Sequence, residues 1–338
     1  MMTLSRARRK IAIFSIIVLL VTASTLGAFY LGNGQENKKP ESLTLGLMSI
    51  EVEGLIYVAI SQGYFSDSGL NVTVKDYVSG LAAVDGLLKG EVNIATATDF
   101  VLAGKALANK SLVSIGNIDK FSIGSLMVRT DHGINNSSDL IGKRIGIAMG
   151  TVGEYNLERF LEMNGIETSQ VTLVNIPPLL TPAALTNGSV DAAFTTKAYY
   201  EMAVGPIPAN MLIWDASNDR FTNYLAITGQ GWALGHPDTV KRFLQALYRA
   251  EQFMISDPGS SKQMVRNALN DSDAYVQEVW SENQFTLTLD QSLILAMEDQ
   301  TRWMVRNNLT ASPVPNFLNY IYIDGLESVD PGSVNIIR

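Results

Sequence analysis

Four short stretches carry hydroxyls, glycines and charges at spacings suited to gripping a small polar molecule: residues 49–53, 96–99, 150–153 and 195–197. Each follows an apolar run and precedes an amphipathic one. At such a junction, free backbone N–H groups of a helix start converge with side-chain oxygens. Ser49, Thr96, Thr98, Gly150, Thr151, Val152 and Thr196 are the candidates for such contacts, and Lys197, the one lysine or arginine in the four stretches, suits a ligand anion. Glu51 and Glu53 suit the opposite, a ligand amine or ring N–H, although carboxylates at the start of a helix also need no ligand. Hydroxyls and Asp99 have the same second reading as ordinary helix caps. Tyr57, Trp214, Tyr224 and Trp232 can wall a cleft or fill a core.

Other chemistries lack their parts. There is no cysteine, and His132 and His236 stand far apart without metal-ligand spacing, so no metal and no cofactor is expected. No GxSxG elbow and no phosphate loop of the P-loop kind occurs, so no catalytic residue is proposed.

The elements that must position these stretches alternate, as in α/β architectures. Strands are expected at 43–48, 70–77, 92–97, 112–118 and 123–129, with helices at 54–62, 81–89 and 99–109. A second series starts at 144–148, passes through a helix at 153–164 and continues through 171–176, 182–186 and 190–195, a helix from about Lys197, and a strand at 211–214. Residues 224–228 read as a return crossing. Beyond Asp238, expected as a helix cap, the pattern turns helical at 239–256, 260–269, 274–283, 289–307 and 316–322.

The amino terminus sets the expected compartment. Arg6, Arg8, Arg9 and Lys10 precede an uncharged stretch at 11–32, which would span about 33 Å as a helix. The reading is a cytoplasmic basic segment at 1–10, a membrane anchor or export signal at 11–32, and a polar tether at 33–42. Small residues at Ala23, Ser24, Gly27 and Ala28 would suit cleavage. The remainder is exported on either reading, and sequons at Asn71, Asn109, Asn135, Asn136, Asn187, Asn270 and Asn308 fit either an exported surface or Asn-rich turns. Of 338 residues, positions 41–338 hold 19 basic against 32 acidic side chains, a charge of −13 that disfavours nucleic acid and anionic lipid.

The run Asp139-Leu140-Ile141-Gly142-Lys143-Arg144-Ile145-Gly146-Ile147, followed by Gly150-Thr151, resembles a segment of exported solute-binding proteins for nitrate, sulfonate, taurine and related compounds. Gly63-Tyr64-Phe65, residues 90–95 (GEVNIA), residues 185–192 (LTNGSVDA) and His236-Pro237-Asp238 agree with that family in order. The resemblance spans about 43–258. It implies a two-lobed type II periplasmic-binding-protein fold, mostly parallel sheets flanked by helices with a helical C-terminal part. One lobe would comprise 43–128 plus 225–338 and the other 129–224, closing on a ligand by hinge motion. It further implies a monomer that serves an ABC permease and its ATPase, with Thr96, Thr98, Gly150, Thr151 and Thr196 as contacts. Where many family members have Glu-Pro after the VDA strand, this chain has Lys197-Ala198, and no cysteine supplies a lipid anchor. The first expected ligand is a small oxyanion (sulfonate, taurine, nitrate or bicarbonate), with a pyrimidine or other thiamine precursor as the alternative. A sensing ectodomain and a pyrimidine-precursor enzyme share the fold; with ten residues before the apolar stretch, sensing would be expected to need a separate partner, and the enzymes use a cysteine-rich motif.

Overall fold

The computed structural model describes residues 40–122, 124–177, 180–195, 200, 204–217 and 221–338. The expected membrane segment at 11–32, nearly all of the tether at 33–42, Thr196, Lys197 and the start of the helix expected near Lys197 lie outside the described residues. Among those described, no helix is long and apolar enough to cross a membrane.

The chain builds β1 (Glu41–Leu47), α1 (Gly54–Ser61), β2 (Leu70–Asp76), α2 (Gly80–Leu88), β3 (Ile94–Thr98), α3 (Asp99–Leu107) and β4 (Leu112–Phe121). It then crosses to β5 (Ser125–Arg129), β6 (Arg144–Ile147), α4 (Val152–Met163), β7 (Thr172–Asn175), α5 (Thr181–Thr186), β8 (Ala192–Phe194) and β9 (Met211–Asp215). The return strand is β10 (Thr222–Gly229). After it come α6 (Pro237–Ser256), α7 (Pro258–Leu269), α8 (Asp273–Val279), β11 (Asn283–Gln284), β12 (Leu289–Asp290), α9 (Gln291–Arg306) and β13 (Val334–Asn335).

Two mixed sheets result, ordered β11-β4-β10-β3-β1-β2 and β7-β6-β8-β5-β9. Strands joined by crossover helices pair in parallel: β1 with β2 and β3, and β6 with β7 and β8. Strands next to the crossings run the other way, β10 against β3 and β4, and β5 against β8 and β9. The parallel pairing lies in the βαβ parts of each sheet. A strand arriving from the other lobe enters its sheet inverted.

Burial explains the apolar runs. Every residue of β4 except Lys120 is buried, as in a strand covered on both faces. In the second sheet, Leu126 and Val128 pack with Leu157 and Phe160, while Met127 packs with Leu185 and Tyr200 on the other side. The period of two thus feeds two helix layers.

Several boundaries shift. The sheet switches fall between Phe121 and Ser125 and between Asp215 and Thr222, rather than at 128/129 and 224/225. Ser125–Arg129 already pairs inside the second sheet, and Tyr224–Thr228 already lies inside the first. Backbone pairing, which local hydropathy does not report, decides this. Helix α6 starts at Pro237, with His236 before it, so Asp238 sits in the first turn instead of capping it; the fixed φ of proline suits that first position. The helix expected to reach 283 stops at Val279 because Asn283 and Gln284 pair with β4, and 316–322 forms only a short 3-10 turn at Phe317–Tyr320.

Candidate ligand site

The loops after β1 and β3 close the end of the first sheet at which β4 leaves for the crossing, and the loops after β6 and β8 lie at the carboxyl ends of the second. Open α/β sheets gather ligands at such ends. The two crossings touch there: the Ala216 N–H donates to the Gly124 carbonyl, and a Cβ at Gly124 would overlap the backbone of Ala216 and Ser217. Glycine is required for that approach.

The loop after β1 turns Glu53 inward. Its carboxylate, fully buried, accepts hydrogen bonds from Thr96 Oγ1 at 2.5 Å and Tyr224 Oη at 3.0 Å, both on Oε1, while Oε2 has no partner. Burial raises the Glu53 carboxyl to about 8 although both hydrogen bonds lower it. The same burial, with Glu53 beside them, pushes the Tyr57 and Tyr224 hydroxyls up. Tyr57 Oη is buried without a hydrogen-bond partner.

Asp119 lies opposite Tyr224 across β4 and β10 and is fully buried, with neither carboxylate oxygen hydrogen-bonded. Burial holds its pKa well above the usual carboxylate range, and the charges of Glu51 and Glu53 add to the shift. The backbone amides of Gln284 and Lys120 pull it partly back without reaching hydrogen-bond geometry. The sequence signal for Asp119 is its alternation with Asn117 inside an apolar run; the strand expected at 112–118 stops one residue short of it. Glu51 is half-buried and accepts from Tyr275 Oη at 2.8 Å, a tyrosine from α8 that nothing local marks.

The expected contacts divide. Thr96 and Glu51 join this acidic pocket. Ser49 is exposed and donates to Asp76 Oδ1 at 2.5 Å. Thr98 precedes α3 and is half-buried, with no side-chain cap bond. Gly150 adopts φ +72°, the left-handed turn that glycine permits, and Val152 opens α4 and packs toward the first core. Thr151 Oγ1 donates to the Ala148 carbonyl at 2.6 Å. Thus the hydroxyl protons of Ser49, Thr96 and Thr151 are all taken by oxygens of the chain itself, and these groups face a ligand with lone pairs only. The Gly150 N–H, at the start of α4, donates to the Glu154 carboxylate, so the chain fills that anion position with its own side chain.

Of the four aromatics, Tyr57 and Tyr224 reach the pocket. Trp214 packs on the second core and Trp232 stacks on His236. His132 binds Asp191, which also takes Arg144, an arrangement that holds β6 to β8 and lowers the Asp191 pKa, Arg144 contributing most. Asp99 is buried but accepts from Asn223 at 2.8 Å, Gln300 at 3.0 Å and the Phe100 N–H at 2.8 Å. Asn109, Asn270 and Asn308 take left-handed turns after helices, which accounts for asparagine at three of the sequons. Among the described residues, no group of three or more His, Cys, Asp or Glu could hold a metal ion.

The two lobes also meet at a clasp. Tyr155 Oη and Arg159 from α4 both bind Asp299 of α9, at 2.6 and 2.5 Å, and Trp303 Nε1 donates to Glu158 at 2.5 Å. Tyr155 packs edge-on against Trp303 and also touches Phe100.

Residues 53–261 match the family model described as NMT1/THI5 like. A 4-amino-5-hydroxymethyl-2-methylpyrimidine phosphate synthase of Schizosaccharomyces pombe is 24% identical over 225 residues, 60% of this chain and 62% of that protein. The taurine-binding periplasmic protein of Escherichia coli is 26% identical over 201 residues, 58% of this chain and 61% of that one. The alignments thus span about six tenths of each relative's length. Among solved structures, the periplasmic aliphatic sulphonate binding protein SsuA from Escherichia coli superposes with a TM-score of 0.73 at 16% identity, covering 84% of this chain and 98% of that one. The fold is therefore that of a periplasmic binding protein.

Proposed function

This chain belongs to the NMT1/THI5-like family, and on that premise we propose that it is the substrate-binding component of an ABC importer. It captures a small polar solute between its two lobes and delivers it to a permease. The observation that carries this is the convergence of strand-end loops from both sheets beside two touching crossings, with buried polar groups on the first sheet left unsatisfied. Buried acceptors without partners are costly, about 1–3 kcal/mol each, and a ligand that supplies donors removes that cost. The segment at 11–32 would hold the binding lobes at the extracytoplasmic face of the membrane, or direct their export if cleaved.

Within the family's ligand range, a bare inorganic oxyanion fits this wall poorly. Nitrate has no N–H or O–H to offer, and the hydroxyls of Ser49, Thr96 and Thr151 already donate elsewhere. A sulfonate end would fall to the second lobe, whose sequence offers Thr196 and Lys197 as candidates. Among the described residues, catalysis has no constellation beside Glu53 and Asp119 to support it, so the enzyme reading known from the pyrimidine synthase relative is not adopted.

The test is a melting experiment on the full chain with taurine, alkanesulfonates, nitrate, bicarbonate and aminopyrimidines. A ligand at about 100 times its Kd adds about 2.7 kcal/mol of stability. A shift with one organic solute and none with nitrate or bicarbonate supports the proposal. A shift with nitrate or bicarbonate alone removes its ligand part, and no shift with any of them removes the importer reading for this ligand range.

A further inference from the structure

The described part of the molecule holds several buried carboxylates, and they differ in one respect. Asp99 accepts three hydrogen bonds, and Glu251 accepts from Thr286 Oγ1 and the Leu287 N–H. Asp119 accepts none, and Glu53 leaves one oxygen bare, although both are fully buried. Asp119 lies within electrostatic reach of Glu51 and Glu53, near the end of β4 from which the chain crosses between lobes. No lysine or arginine among the described residues forms an ion pair with Glu51, Glu53 or Asp119. Burial keeps Glu53 and Asp119 protonated in the empty site; a group that is positively charged or rich in N–H bonds favours their ionised form and takes their free oxygens as acceptors.

We propose that Asp119 and Glu53, with Glu51 at the rim, form the end of the ligand site that receives an amino group, so that the transported solute carries a primary ammonium or an exocyclic ring amine. This rests on the reading of the chain as a binding protein and narrows its ligand. An ammonium offers three N–H donors and a ring amine two, enough to satisfy both Asp119 oxygens or one of them and Glu53 Oε2. Charge assistance strengthens such bonds when the carboxylate is ionised. Opening of the lobes about the crossings would admit the solute, since Glu53, Asp119 and Tyr224 are buried as the lobes stand. Tyr57 and Tyr224 supply the apolar and ring surface around it.

Isothermal titration calorimetry on the full chain, with probes matched except for the amine, tests this. One pair is taurine and ethanesulfonate; the other is 4-amino-5-hydroxymethyl-2-methylpyrimidine and its 4-hydroxy analogue. The expected result is that the amine-bearing member of at least one pair binds at least tenfold more tightly than its partner. Asp119→Asn should remove that preference while leaving the melting temperature unchanged or higher. If the amine-free members bind as tightly as the amines, the inference is wrong and the binding-protein reading stands. If none of the four binds at millimolar concentration, the inference is wrong, and the binding-protein reading is decided by the melting experiment with the wider ligand set. If Asp119→Asn lowers the melting temperature and weakens amine and amine-free probes alike, Asp119 is a structural group and the proposal fails on that ground.

Discussion

Asp99 and Asp119 are both fully buried in the first sheet's lobe, and burial raises the pKa of both. They part on partners. Asp99, at the start of α3, collects donors from β10 and α9 and ties the helix to the strand. Asp119, on β4 opposite Tyr224, collects none. The same residue type in the same degree of burial is thus a structural tie in one place and an unmet acceptor in the other. Asp191 in the second lobe extends the contrast: Arg144 and His132 saturate it, and its pKa falls. A buried carboxylate by itself says little about ligand binding. What matters is whether its oxygens are already answered.

The largest effect should come from the tie. Asp99→Ala leaves the Asn223 and Gln300 amides without an acceptor, a loss of about 3 kcal/mol, or roughly 6–10 °C in Tm. Thermal melting without ligand checks it; a loss below about 1 kcal/mol would break the contrast. Asp119→Leu, which replaces an unpaired acid by an apolar side chain of comparable reach, should raise stability by about 1–2 kcal/mol. Denaturant titration would read this as a higher midpoint, and a lower one would show Asp119 to have a partner in solution.

Glu53 sharpens the same point through pH. Its folded pKa, about 8, lies above the ordinary value of 4.5, so the native state holds a proton that the unfolded state releases. Stability from this group is fully present below about 4.5 and is lost as pH rises through about 8. Asp119, shifted in the same direction, adds to the decline. Melting curves across this window should slope downward with pH, and Glu53→Gln should flatten the slope. An unchanged slope in the variant would assign the titration elsewhere.

The smallest effect concerns the clasp. Tyr155→Phe deletes one hydrogen bond to Asp299 at the contact between lobes, about 1 kcal/mol. Small-angle scattering of the unliganded chain should show a modest increase in radius of gyration as opening becomes easier. No change would mean that the rings of Phe100, Tyr155 and Trp303 hold the lobes without it.

Much of the fold was legible because it rests on local pattern. The β-strands at 43–48 and 70–77 and the helices at 54–62 and 153–164 lie within a residue or two of the observed elements, since burial on one face imposes a period that the sequence must carry. Boundaries failed where pairing intervened, as at the two crossings and at 283. The site was legible only in outline. Thr96 and the Glu51–Glu53 turn are where strand-end reasoning expects them, whereas Asp119 and Tyr275 come from the middle of a buried run and from a distant helix.

By itself, then, the chain's alternation of short apolar runs and amphipathic stretches determined two α/β lobes and the loops that face a cleft. Only the tertiary structure decided which way the hydrogen bonds run there. Glu53 meets Thr96 across 43 positions and Tyr224 across 171, and Thr151 gives its proton to a carbonyl three residues back. Periodicity acts over a few residues and can be read locally. The direction of a hydrogen bond depends on which partner the folded chain brings within about 3 Å, and that turned loops read as suited to an anion into a wall of acceptors.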